Sequence, residues 1–257
     1  MKKMRAGAAC RIEGFCIGLL AACFLPQPAA AADGAALEAK SAAALLPQRA
    51  NFELERASQE ARHVADWVVD SRDSLGMPFV IVDKKDAKVF VFDADGKLRG
   101  AAPALLGLAR GDDSAPGIGD RELSKIRPQD RTTPAGRFVA ALSVDAHGKD
   151  LLMVDYDLNV SMHRVITTNP RDRRLQRLAT PTPLDNRISF GCINVPVKFY
   201  DNVVRPAFTG TKGIVYVLPE TRSARAVFSS YDVEEHARLQ LPGQPVPAVD
   251  ASEALRQ

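Results

Sequence analysis

"PFVIVDKKDAKVFVFDADGKL", Pro78–Leu98, holds two short β-rich runs joined by a polar turn and followed by an Asp-Gly pair. Closely spaced Val, Ile and Phe suit extended backbone, and Asp95-Gly96 signals a tight hairpin turn. Upstream of Met77 the apolar spacing is different. Ala57, Ala61, Val64 and Val68 recur at i, i+4, i+7 and i+11, which predicts a helix over 51–75 with Gly76 as its stop. On that helix His63 and Trp67 read as surface or interface residues. Downstream, "GRFVAALSV" (Gly136–Val144), "LLMVDYD" (Leu151–Asp157), "VSMHRV" (Val160–Val165) and "GIVYVLP" (Gly213–Pro219) extend the β pattern without alternating helices. The expected fold class is therefore mainly β, an antiparallel sandwich or small barrel. One short helix after Pro196 interrupts it, with Val197, Tyr200 and Val204 on one face and Pro206 as its end.

The chain begins with the basic "MKKMR", then an apolar run, "FCIGLLAACFL" (Phe15–Leu25), then small residues up to Ala32. These are the parts of a secretory leader, and the run is too short to span a bilayer. Cleavage after Ala32 is expected, so residues 1–32 are read as a signal peptide. "LAAC" (Leu20–Cys23) offers a rival cut that would leave an acylated Cys23 and a membrane tether. Beyond the leader, 33–76 reads as a flexible and helical segment, 77–219 as the β domain, and 220–257 as a disordered tail rich in proline and small polar residues.

Removing the leader changes what the composition means. The whole chain has 34 basic and 31 acidic residues; without Lys2, Lys3, Arg5, Arg11 and Glu13 each count becomes 30. A neutral mature chain lacks the basic footprint of a nucleic-acid binder. Cys10, Cys16 and Cys23 also fall within 1–32, which leaves Cys192 alone in an oxidising compartment. A single cysteine there is an intermolecular bridge or a reactive thiol.

Cys192 sits in "RISFGCINVP" (Arg187–Pro196), after Gly191, whose lack of a side chain lets a substrate carbonyl approach the backbone. The amides of Gly191 and Cys192 are then candidate oxyanion donors. A thiolate nucleophile at neutral pH needs a neighbouring base. Of His63, His147, His163 and His236, only His163 lies inside a β pattern, on the face shared by Ser161 and Val165. Pattern alone leaves it balanced between a base and a packed strand residue.

The stretch from about Phe79 to Leu218 resembles the L,D-transpeptidase catalytic domain (YkuD-type). The resemblance rests on "VFVFDADGKL", on "TTPAGRF" (Thr132–Phe138), and on His163 followed by Ser189, Gly191, Cys192, Ile193 and Asn194. It implies an exported cysteine acyltransferase that acts on peptidoglycan stem peptides and uses no cofactor. Cys192 would be the nucleophile, His163 its base, and the Arg164 carbonyl the group orienting the imidazole. Gly191 would belong to the catalytic loop, and Arg164, Ser189, Phe190 and Asn194 would meet the substrate.

Two departures stand out. Phe190 replaces the family's second motif histidine, and the 25 residues between His163 and Ser189 exceed the family's usual spacer. Phe190 opens two alternatives: a weakened or inactive wall-binding scaffold, or a carboxypeptidase-type hydrolase. A sortase also orders His before Cys, but "SFGCIN" lacks its Thr-x-Thr-Cys strand. The spacer's Arg164, Arg171, Arg173, Arg174, Arg177 and Arg187 outnumber Asp172 and Asp185, and read as a solvated loop or a lid attracting carboxylates. "GLARGDDSAPGIGDREL" (Gly107–Leu123) lacks the order of a phosphate loop and reads as a long loop at the cleft edge. No cluster has metal-ligand spacing, so no metal is expected.

Overall fold

The computed structural model describes residues 46–240. The expected leader, the choice between Ala32 and Cys23, and the end of the tail lie outside them. Three strands, β1 (Phe79–Asp83), β2 (Lys88–Phe92) and β3 (Leu98–Pro103), form an antiparallel meander. The β2–β3 turn closes because the Asp93 carboxylate accepts the amides of Asp95 and Lys97 while Gly96 takes φ +77°. Next come the two-residue β4 (Leu106–Gly107), then β5 (Gly136–Val144), β6 (Asp150–Asp155) and β7 (Val160–Arg164). The last strands are β8 (Arg187–Ser189), β9 (Ile193–Val195) and β10 (Lys212–Val217).

Eight strands make one sheet in the order β3-β2-β1-β10-β5-β6-β7-β9. Its two ends meet at Leu105 and Asn194, which exchange backbone hydrogen bonds of 2.8 and 2.9 Å, so the sheet is nearly closed. It is mixed, which corrects the antiparallel expectation. β1 runs parallel to β10, β7 to β9, and β4 to β8 in a second, two-stranded sheet. Hairpin signals report only sequence neighbours, whereas these parallel pairs join strands separated by long crossovers.

The strands bury two faces. Val80, Val82, Val89, Val91, Leu152, Met162, Val215 and Val217 point into the closed side, which Phe199, Tyr200, Val204 and Phe208 plug from the helical run after Cys192. Phe79, Ile81, Phe90, Phe92, Ile214 and Tyr216 point outward beneath a helical layer. Burial on both faces explains why β1 and β2 read as almost continuous apolar runs. Each such side chain contributes about 1.5–3 kcal/mol relative to exposure.

Helix α1 spans Gln59–Ser71, shorter than the expected 51–75. Ser58 caps it, its hydroxyl accepting the Ala61 amide at 3.0 Å. Asn51 instead exchanges backbone bonds with Gly96 and Leu98 beside β3. Trp67 is buried against Tyr216 and Phe228 and is not a surface residue.

Two corrections follow the cysteine. The helical run after Pro196 does not end at Pro206: α3 (Val197–Phe199) passes through a π-turn (Tyr200–Val204) into α4 (Arg205–Phe208). The Arg205 amide reaches back to the Tyr200 carbonyl, and the widened turn accommodates the proline that follows. The tail expected to be disordered from Glu220 is, as far as Gln240, the helices α5 (Ala224–Phe228) and α6 (Val233–Gln240). Buried Phe228 and Val233 hold them, as does the Tyr231 hydroxyl donating to Asp70 at 2.9 Å. These few anchors are diluted in a composition averaged over 220–257.

Candidate active site

Between β8 and β9 the chain makes a tight loop, Phe190–Cys192. Gly191 has φ +134°, and a Cβ there would lie 2.9 Å from the Thr132 carbonyl oxygen, so a side chain is excluded twice over. The loop is tied down on both sides. The Thr133 hydroxyl donates to the Gly191 carbonyl at 2.7 Å. The Gly191 amide donates to buried Ser189 Oγ at 3.1 Å, and that hydroxyl donates to the Cys192 carbonyl at 2.6 Å. Of the two amides expected to face an oxyanion, that of Gly191 is therefore spent on Ser189. The Cys192 amide has no hydrogen-bond partner among the described residues.

β7 runs parallel to β9 with His163 in register with Asn194, which brings the imidazole beside the residue two positions earlier, Cys192. His163 Nδ1 lies 2.7 Å from the Arg164 carbonyl. A carbonyl only accepts, so Nδ1 carries the hydrogen and Nε2 is left for the thiol. Ser161 Oγ, on the same strand face, lies 3.6 Å from Cys192 Sγ. Burial pushes the Cys192 thiol up, but the hydrogen bond and positive field of His163, helped by Ser161, outweigh it and lower the pKa. Burial pushes His163 down, and the hydrogen bond and charge of Cys192 with the Arg164 carbonyl reverse this and raise it. Both shifts favour a thiolate–imidazolium pair.

The other predicted residues separate into contacts and supports. Phe190 lies under the Arg131 guanidinium, 3.9 Å from ring centre to carbon. Arg164 contributes its carbonyl, because its guanidinium pairs with Asp150 and Asp201. Asn194 is buried, with its amide donating to the Cys192 carbonyl at 3.3 Å. Of the spacer arginines, Arg174 binds Asp172 and Asn194, Arg177 binds the Asp172 and Asp185 carbonyls, and Arg187 pairs with Glu220. These are internal ties, so only Arg171 and Arg173 remain exposed as lid charges. His63 bonds Ser230, and His236 lies near Asp70, both remote from Cys192.

Two hollows flank the pair. On the sulfur side a narrow one is lined by Ile118, Leu123, Ile126, Leu158 and Phe190, so the 107–123 loop does reach the cleft edge. On the imidazole side a cleft of about 650 Å³ is lined by His147, Lys149, Ser161, Ile166, Thr167 and Val197. Among the described residues no group of three acidic, cysteine or histidine side chains could hold a metal ion.

A buried charge network behind the loop was not foreseen. Lys84, fully buried, donates to the Gly111 carbonyl (2.5 Å), Asp112 Oδ1 (3.0 Å) and the Thr133 carbonyl (3.1 Å). Burial pushes Asp112 up, but the Thr221 hydroxyl, the amides of Glu220 and Thr221, and Lys84 outweigh it and hold the carboxyl well below its usual range. That stabilisation is present above the ordinary carboxylate pKa and is lost as pH falls towards the depressed one. Lys84→Met removes the buried cation closest to Asp112, leaving only the half-exposed Arg222 guanidinium at 3.6 Å, and should cost about 3–5 kcal/mol, read as a lower urea midpoint at unchanged slope. A midpoint equal to wild type would show that the network contributes nothing. Acidic "DD" and lysine "KK" pairs are ordinary surface sequences, so nothing local announces that Lys84 and Asp112 are buried.

No family model and no curated protein sequence matches the chain. Solved structures to which the chain is similar include an L,D-transpeptidase, LdtMt1, in complex with imipenem, at 15% identity and a TM-score of 0.32, covering 55% of this chain and 58% of that one. The helical cell shape determining protein Pgp2 from Campylobacter jejuni is 16% identical at a TM-score of 0.38, covering 63% and 52%. The catalytic domain of the E. faecium L,D-transpeptidase is 19% identical at a TM-score of 0.31, covering 55% and 96%. The chain thus spans little more than half of the first two of these proteins.

Proposed function

We propose that this chain is an exported cysteine acyltransferase acting on peptidoglycan stem peptides. The observation that carries the reading is the placement of Arg164 and His163 on β7 and of Cys192 just before the parallel strand β9: the Arg164 carbonyl anchors His163 Nδ1 at 2.7 Å, and the register sets the imidazole beside Cys192, whose thiol pKa it lowers. The Cys192 thiolate attacks a stem-peptide carbonyl, and the oxyanion forms within reach of the free Cys192 amide. The C–N bond then breaks, the leaving amine takes a proton from the His163 imidazolium, and a thioester remains. An incoming amine gives a proton to His163, attacks the thioester and releases the thiolate. Water in place of the amine gives hydrolysis, the carboxypeptidase alternative. Phe190, packed beneath Arg131, places an apolar wall where the family carries a histidine, which disfavours water at the thioester.

Intact-mass spectrometry of the protein incubated with tetrapeptide muropeptides tests this. The expected result is a Cys192-linked acyl adduct with release of the terminal residue. Absence of any adduct at every pH would leave the inactive scaffold as the better reading.

A further inference from the structure

The spacer between His163 and Ser189 reaches back to the nucleophile through one side chain. Arg174 begins helix α2 (Arg174–Ala179), and its side chain is only 15% exposed. Its Nε donates to Asp172 Oδ2 at 2.9 Å and its Nη1 to Asn194 Oδ1 at 2.9 Å. Asn194 Nδ2 in turn donates to the Cys192 carbonyl at 3.3 Å. An asparagine amide can be turned either way, but a guanidinium has only donors. Arg174 therefore obliges Oδ1 to face it and the NH₂ to face Cys192.

We propose that Arg174 is a positioning residue for Cys192, holding the nucleophile's backbone carbonyl, and so its Cα–Cβ direction, through Asn194. The proposal rests on the acyltransferase reading and deepens it. It also gives the long spacer a purpose other than covering the cleft: the insertion supplies the outer clasp of the nucleophile loop, and Ser189 supplies the inner one. The same guanidinium opposes protonation of His163. The other groups facing His163 are Cys192 from the loop, Arg164 from its own strand, and Asp145, His147, Lys149 and Asp150 along the cleft.

The test compares Arg174→Ala, Arg174→Lys and Asn194→Asp on the full chain, with a thiol-acylating carbapenem as probe and intact mass as readout. Iodoacetamide alkylation against pH reports thiol ionisation separately, and the His163 NMR titration reports its charge. Arg174→Ala should slow carbapenem acylation by about tenfold or more while the thiolate still forms, because a misdirected nucleophile loses alignment. Asn194→Asp keeps the Arg174 contact but turns an oxygen towards the Cys192 carbonyl, and should slow acylation similarly. Combining it with Arg174→Ala should add little. His163 should titrate higher in Arg174→Ala and remain near its wild-type value in Arg174→Lys. Wild-type acylation in folded Arg174→Ala overturns the proposal. So does an acylation loss matched only by a lower melting temperature with His163 unmoved. If wild-type Cys192 resists the carbapenem and alkylates as an ordinary thiol, the acyltransferase reading itself fails, and the proposal with it.

Discussion

Cys192→Ala should abolish the acyl adduct and every transfer or hydrolysis product while leaving the fold intact. Every bond-making step in the proposed reaction passes through Sγ, and no second cysteine lies among the described residues. Ser161 Oγ is nearby but is a far poorer nucleophile near neutral pH, so it cannot substitute. The structural cost is small. The thiol is partly exposed, its loop is tied through backbone and through Ser189 and Thr133, and a small apolar side chain replaces it. A melting temperature within a few degrees of wild type is expected, in line with a loss of about 1 kcal/mol. Muropeptide digestion followed by mass spectrometry measures the first half and thermal unfolding the second. Product surviving the substitution would sink the mechanism.

His163→Ala should slow acylation by about 10²–10⁴-fold, the usual worth of a positioned general acid–base group. It should also move the pH dependence, in a direction the environment dictates. In wild type the imidazole holds the thiol pKa down against burial. Without it burial dominates, so the iodoacetamide alkylation limb should shift to higher pH. The wild-type rate should form a plateau bounded by thiol protonation on the acid side. On the alkaline side it is bounded by loss of the imidazolium that protonates the leaving amine, with that limit raised because His163 titrates above its ordinary value. An alkylation profile unchanged by His163→Ala would make His163 a packing residue.

Much of the site is readable along the chain because it is built from strand ends. The alternation in "VSMHRV" puts Ser161 and His163 on one face, and both face the thiol. Gly191 before Cys192 marks a backbone conformation that a side chain cannot adopt. The supporting shell is not readable in the same way. Lys84, Asp112, Glu220 and Arg187 are scattered across more than a hundred residues and look like surface charges until they are buried together. The arginine-rich spacer reads as a charged loop, yet most of its arginines point inward to carboxylates and carbonyls.

Local chemistry by itself determined the β-rich runs, the β2–β3 hairpin at Asp95-Gly96 and the core of helix α1; it marked Cys192 and His163 as candidates and left the role of His163 open. Each follows from residue types within a few positions of one another, where backbone preference and side-chain alternation act directly. Tertiary structure alone decided that the sheet is mixed and nearly closed, that α5 and α6 pack beside α1, and that the Gly191 amide is spent on Ser189. It also decided that Arg174 meets Asn194. Those outcomes depend on which distant segments share a surface. Chain crossovers and the pairing of buried polar groups set that choice, and neither leaves a periodic trace along the sequence.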